Sequence, residues 1–351
     1  MELKTAFQLL ATDERFIQDT REIIVNKLFH QETNEFFNIV PGIKGGQQVA
    51  AMKGFEYVTT KSAGCGGAGI SPDFPAFSQF WNPQLQEVKL NYCYDDFMGQ
   101  FTQWALANGH DIKNLGETEL AMFIQDLVVE AMKLDLLRIV LLGDEDMDAQ
   151  DILTDEATYL KYYTTISKGL IPTLQYLATL PEFADQFIDL PQNDAVTQAA
   201  QYTFAAEDGL NIYEEVLDQY DFDGDILLSS NRLFKNYQKW VKRANGYGLQ
   251  SNVDLTMKGT GDLMIDGQML KPIVNYDRWK AKDFLVGGAV HLPHFALHTR
   301  KEFLQVGVDS EAALTDLRFE YIGGADETFW IKGNYMLDFK HVNPYALKAA
   351  L

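Results

Sequence analysis

Cysteine is nearly absent from this sequence. Cys65 and Cys93 stand at no metal-ligating or disulfide-framework spacing, which fits a reducing compartment. Basic residues are scarce beside acidic ones: 29 Lys and Arg against 50 Asp and Glu leave a net charge of −21. A chain so charged does not read nucleic acid by neutralising phosphates. Any close self-association must place its like charges with care. No apolar run reaches the length of a membrane-spanning helix. The opening residues, MELKTAFQLLATDERF, lack the apolar core and small-residue cleavage site of a signal peptide. No internal repeat or low-complexity tract is visible.

Catalytic motifs are missing too. There is no G-x-S-x-G, no G-x-x-x-x-G-K-[ST] and no H-E-x-x-H. Weaker patterns fail on their context. Gly64, Gly66 and Gly69 spell G-x-G-x-x-G, but a dinucleotide fingerprint must open a helix, and Pro72 and Pro75 follow. That segment reads as a flexible loop tip. Asp221, Asp223, Gly224 and Asp225 suggest a calcium loop. Aligning Gly224 with the obligatory glycine puts Gln219 and Ser230 where acidic ligands are required, so a solvated turn is the better reading. His291, His294 and His298 gather half of the 6 histidines and are the best metal candidates. Pro293 breaks their helical spacing, and no Cys or acidic residue lies alongside before Glu302. The Cys65 thiol lacks an evident base and orienter. No catalytic, cofactor-binding or metal-ligating residue is assigned, and no cofactor is expected.

What is present is a core and a set of elements. Apolar residues make up 46% of the chain, which excludes a disordered polymer. Thr118 to Leu142 runs without Gly or Pro, with apolar residues near the helical period. It predicts a helix of roughly 38 Å, capped by Thr118 and stopped by Gly143, against which the rest packs. An amphipathic helix is expected over 12–30. Extended segments at 47–52, 54–60 and 85–92 predict a ribbon around the Gly- and Pro-rich tip, needing a partner to lie on. A short helix is expected from Tyr94 to Ala107, stopped by Asn108–Gly109.

Beyond the long helix, a helical pattern over 159–180 should break near Lys168–Gly169 because of Pro172. One long helix is expected over 194–220. A buried strand at 226–228 should follow, then a helix to Ala244 capped by Ser229 or Ser230. Asp266–Gly267 signals a hairpin. Strands are expected at 284–290, 317–322, 328–332 and 335–342, returning to the long helix. Basic clusters (Lys235, Lys239, Lys242, Arg243; Lys271, Arg278, Lys280, Lys282) and acidic ones (144–151, 207–225) are candidate contact surfaces between copies.

The order of these elements resembles the major capsid protein of tailed bacteriophages, the HK-97-like fold, over nearly the whole chain. The carrying segments are VKLNYCYDDF (88–97), IVLLGD (139–144), KYYTTISKGLIPTL (161–174), DILLSSNRLFKNYQKWVKR (225–243), GTGDLMIDGQMLKPIVNYDRW (259–279) and FALHTRKEFLQVGVDSE (295–311). The last shows Thr299, Leu304, Gly307 and Asp309 at the family's spacing.

The resemblance implies an α+β protein with an N-terminal arm (1–44) and an extended loop (45–92). A peripheral domain (93–143 and 285–351) would hold the spine helix 118–142, and an α/β axial domain would span 144–284. It implies a structural protein, not an enzyme. That protein assembles with itself, as hexameric and pentameric capsomers, into the icosahedral shell of a phage or prophage around its DNA. A scaffolding protein, a portal and decoration proteins would be further partners. The expected location is the virion capsid, assembled in the host cytoplasm, with no membrane contact. The alternatives are an encapsulin-like compartment, or an enzyme using His291, His294 and His298.

Overall fold

A computed structural model describes residues 33–52, 76–109, 117–147, 152–218, 223–244, 264–265, 268–308, 318–322 and 328–351. The expected helix over 12–30, the ribbon tip with Cys65 and its glycines, and Asp309 lie outside these residues.

The described chain enters through α1 (Thr33–Phe36) and β1 (Asn38–Pro41). Next, β2 (Gln48–Met52) and β3 (Ala76–Phe80) pair antiparallel as a two-stranded sheet of their own, Gln48 opposite Phe80. β4 (Gln84–Cys93) alternates: Gln86, Val88, Leu90 and Tyr92 turn inward between exposed neighbours. This corrects the expected ribbon. Its second arm is β3, inside the stretch read as a Gly- and Pro-rich tip, and not 85–92. β4 instead pairs antiparallel with the stretch Thr328–Leu337 near the end of the chain, with its half-buried alternating residues on one sheet face.

α2 (Tyr94–Ala107) follows and stops as expected. Asn108 sends both its backbone N–H and its side-chain amide to the Trp104 carbonyl, and Gly109 takes φ 77°. The spine, α3, runs Glu117–Leu142. It starts one residue before the expected cap, so Thr118 lies inside the first turn. Its C-terminal half, Leu136 to Leu142 apart from Arg138, is buried.

The chain then returns through α4 (Glu156–Tyr163), capped by the Asp155 carboxylate, and α5 (Leu170–Ala178), with the expected break between them. Pro172 sits in the first turn of α5, where its missing N–H breaks no helical bond. Two glycines let this return lie against the spine. A Cβ on Gly143 would stand 2.6 Å from the Ile139 carbonyl, and one on Gly169 2.7 Å from the Val140 carbonyl. The Gly169 N–H donates to the Gly143 carbonyl at 2.6 Å.

β5 (Phe187–Ile188) precedes two helices, α6 (Gln198–Gln201) and α7 (Asp208–Leu217), where one was expected. Thr197 caps the first. The Asp208 carboxylate accepts the Ala205 N–H and the Gln192 amide, which holds the intervening loop out of helix. β6 (Ile226–Ser230) is buried throughout and leads into α8 (Asn231–Ala244). Ser229 and Ser230 are strand residues, not caps: Ser229 accepts from the Tyr213 hydroxyl. The Asp277 carboxylate lies near the first amides of α8, those of Asn231 and Arg232, where the positive helix end favours an acid.

β7 (Met264–Ile265) and β8 (Gln268–Ile273) pair on either side of the expected hairpin turn, whose two residues are not among those described. α9 (Val274–Asp283) carries Asp277. The expected strand 284–290 is a small hairpin, β9 (Leu285–Val286) and β10 (Ala289–Val290). Gly287 and Gly288 turn it with φ 60° and 90°. β11 (Ala296–Thr299), β12 (Leu304–Val308), β13 (Arg318–Ile322), β14 (Thr328–His341) and β15 (Leu347–Ala350) complete the chain. β14 was expected as two strands. It runs through Gly333–Asn334 unbroken because β4 pairs with it from Thr328 to Leu337.

The strands form two main sheets. The first has five: β1-β12-β14-β13 in order, with β4 on the far side of β14. The second has six: β5-β15-β11-β6-β8-β7. The segment 285–351 is therefore divided. β12, β13 and β14 join the spine's sheet, while β11 and β15 lie in the other, because β11 is the hydrogen-bonded neighbour of β6. One apolar cluster contains spine residues (Leu137, Val140, Leu141), first-sheet residues (Val306, Phe339) and second-sheet residues (Ile226, Leu228, Ile273). Leu227 faces the other way, into a smaller cluster with Tyr213, Phe234 and Tyr237 of α7 and α8.

Candidate functional site

The ribbon of β2 and β3 is tied down at its neck. The Gly46 N–H donates to the Trp81 carbonyl at 2.8 Å, and the Trp81 N–H to the Gln47 carbonyl at 2.9 Å. The Trp81 ring is buried against Gly307 of β12, where a Cβ would meet it at 2.6 Å and the Ile43 side chain at 2.5 Å. The Asn82 N–H donates to the buried Asp338 carboxylate at 2.8 Å, and Lys340 stands 3.2 Å from that carboxylate. Burial raises the Asp338 pKa; Lys340 and the amides of Asn82 and Phe339 oppose the shift. Farther out, Phe77 packs edge-on against Phe183 at 5.6 Å, and the Gln79 amide donates to the His341 carbonyl. The described part of the ribbon thus rests on its own chain. Phe80 at its end stays 56% exposed.

The three clustered histidines have separate surroundings. His291 lies near the Gln175 amide, and burial pushes its pKa down to about 4, with Lys280 adding to the effect. His294 is buried among Tyr202, Phe204 and Ser230, with its Nε2 on the Gln201 carbonyl; burial takes it to about 4 as well. His298 sits over Gly224 in β11, its pKa lowered by burial against the pull of Asp223 and Asp225. Among the described residues no group of three or more His, Cys, Asp or Glu is placed to hold a metal ion. Of the suspected calcium loop, Asp225 spends a carboxylate oxygen on the Lys301 N–H at 2.7 Å.

The charge clusters are partly used internally. Asp144 and Asp146 stand 3.2 and 3.6 Å from Lys168, and Glu145 accepts from Ser167. Lys271 pairs with Glu35 at 3.4 Å. Lys280 is no surface charge: it is buried, its ammonium 4.1 Å from the Phe284 ring centre, and burial lowers its pKa to about 7. What faces solvent is Lys235, Lys239 and Arg243 on α8, and Glu207, Glu214, Glu215 and Asp218 around its neighbour α7. Leu85 and Val196 are exposed apolar residues, at 63% and 82%. The sequence reading missed the neck; Trp81 beside Asn82–Pro83, between two strands, was its one visible sign.

The sequence matches no protein-family model and no curated protein. The architecture does find counterparts. A chain of the satellite phage P4 procapsid, in a structure that includes the size determination protein, superposes with a TM-score of 0.50 at 11% identity. The match covers 95% of this chain and 98% of that one. Gordonia phage Cozz gives a TM-score of 0.50 at 13% identity, covering 90% and 84%. The fold is the HK-97-like capsid fold. A holo-SrpI encapsulin complex from Synechococcus elongatus is more distant, with a TM-score of 0.43 at 10% identity over 90% and 85%. The neck, the ribbon and the α7–α8 face are parts of this one architecture.

Proposed function

We propose that this chain is the major capsid protein of a tailed bacteriophage or prophage, building an icosahedral shell around a DNA genome. The carrying observation is the HK-97-like fold, matched over nearly the full length of both this chain and a phage procapsid chain. Copies of the chain are its principal partners, as hexameric and pentameric capsomers. A scaffolding protein, a portal and decoration proteins are further ones, with assembly in the host cytoplasm. The role is structural and not enzymatic; the separate settings of His291, His294 and His298 favour this over histidine chemistry. The domains are best drawn as an arm (1–44), a ribbon (45–83), a peripheral domain (84–143 and 304–341) and an axial domain (144–299 and 347–351). The ribbon tip would lie on a neighbouring copy.

Sedimentation and negative-stain imaging of the expressed protein test the proposal. Closed shells or capsomers are expected; a monomer or small closed oligomer under all assembly conditions would refute it.

A further inference from the structure

A cavity of about 390 Å³ lies between β4, the middle of α3 and the end of α4. Arg138 is its central group. One guanidinium nitrogen holds Asp135 at 2.9 Å, and the guanidinium carbon stands 5.3 and 5.7 Å from the ring centres of Tyr162 and Tyr163. These contacts fix the side chain, yet its Nε is buried with no hydrogen-bond partner among the described residues. The Thr165 hydroxyl, on the same cavity wall, is also buried and has no partner among the described residues. The Thr165 carbonyl is not spare, since it accepts from the Gln86 amide. Buried donors left without acceptors are costly, so two on one cavity wall point to a missing acceptor. Lys161 also lines the cavity, which sets two cationic residues, Arg138 and Lys161, beside one carboxylate, Asp135; Glu87 and Lys89 belong to the outward set of β4, and Lys89 stands over the Trp330 ring. In a chain of net charge −21 this is an island of the opposite sign.

We propose that this cavity receives one carboxylate side chain from a second copy of the chain. A carboxylate is planar and accepts at both oxygens, which suits a guanidinium edge with a neighbouring hydroxyl donor. The occupant comes from another copy because each copy carries 50 acidic residues and, on the assembly reading above, neighbours press together around every subunit. The contact acts as a specificity lock: a subunit packed out of register leaves the donors empty.

The test uses the full chain and its particles. A density map of assembled wild-type particles should show a neighbouring subunit's Asp or Glu within hydrogen-bond reach of Arg138 Nε. Two conservative variants, Arg138→Lys and Thr165→Val, each remove a donor while retaining charge or shape. Each should raise the free subunit concentration at which particles form by about tenfold, the equivalent of one charge-assisted hydrogen bond. Circular dichroism and a Tm close to wild type show that the subunit still folds. Thr165→Ser should assemble like wild type. A cavity holding only water, or only a small anion, in the particle map overturns the inference, as does unchanged assembly of both donor variants. If the wild-type chain forms no particles at all, it is the assembly reading that has failed.

Discussion

His341 shows how much a single position in this chain is asked to do. It is fully buried at the end of β14. Thr299 gives its one hydroxyl proton to the Ala346 carbonyl, so the 3.1 Å contact to His341 Nε2 must be donated by the imidazole. Burial holds the His341 pKa down at about 3. Lowered histidine pKa values mean that the unfolded chain takes up protons first as pH falls. The stability these groups contribute is complete above about pH 6.5 and declines toward about 4 for His291 and His294, and about 3 for His341. Asp277, raised to about 7, works in the opposite sense, so the histidine effect is best isolated by difference. Urea unfolding of His341→Gln and wild type between pH 6.5 and 4 should show the wild type losing up to about 1.4 kcal/mol more per pH unit. Parallel pH profiles would contradict this. At Gly307, alanine should cost about 1–3 kcal/mol, because its methyl overlaps Ile43 and Trp81. Urea melts read the loss, and Trp81 fluorescence should report a displaced ring.

Among the elements, the spine, α2, β4 and the α4–α5 break could be read directly from the residues. Their patterns are long or sharply punctuated, and local propensity agrees with burial. The failures share a cause. α6 and α7 look like one helix until Asp208 is seen bonding to Ala205 and Gln192. β14 looks like two strands until β4 is laid along it. The second ribbon arm was hidden because β3 is short, its half-buried positions are Phe77 and polar Gln79, and Gly and Pro crowd the residues before it. Side-chain and strand pairings that periodicity does not register decided these cases, local at Asp208 and distant at β14. For the histidine cluster the decisive signal was in the sequence: Pro293 denies His291, His294 and His298 a common helical face, and their rings have separate surroundings. The spine–α5 joint offers an element-scale test. Gly143→Ala and Gly169→Ala should each destabilise by about 1–3 kcal/mol through overlap with helix carbonyls. Combined, they should be non-additive, since the two residues share a hydrogen bond. Strict additivity in denaturant melts would show the joint to be looser than its geometry.

At the scale of the whole molecule, charge placement matters more than net charge. Lys168 offsets one charge of the acidic stretch after the spine, and the α7–α8 face carries exposed charges of both signs. Basic α8 beside acidic α7 can be self-complementary around a ring of copies. Lys235→Glu with Lys239→Glu should leave folded subunits by circular dichroism but cut particle yield in sedimentation, most strongly at low salt. Normal yield at every salt concentration would mean that these are merely solvated faces.

The apolar cluster that joins the spine to one face of the six-stranded sheet has a consequence for breakdown. β6 turns Ile226 and Leu228 to one cluster and Leu227 to the other, so there is no clean seam between the lobes. A protease should nick loops without freeing a folded half. Heat should melt the isolated subunit in one calorimetric transition, because neither lobe retains an intact interior once the other has gone.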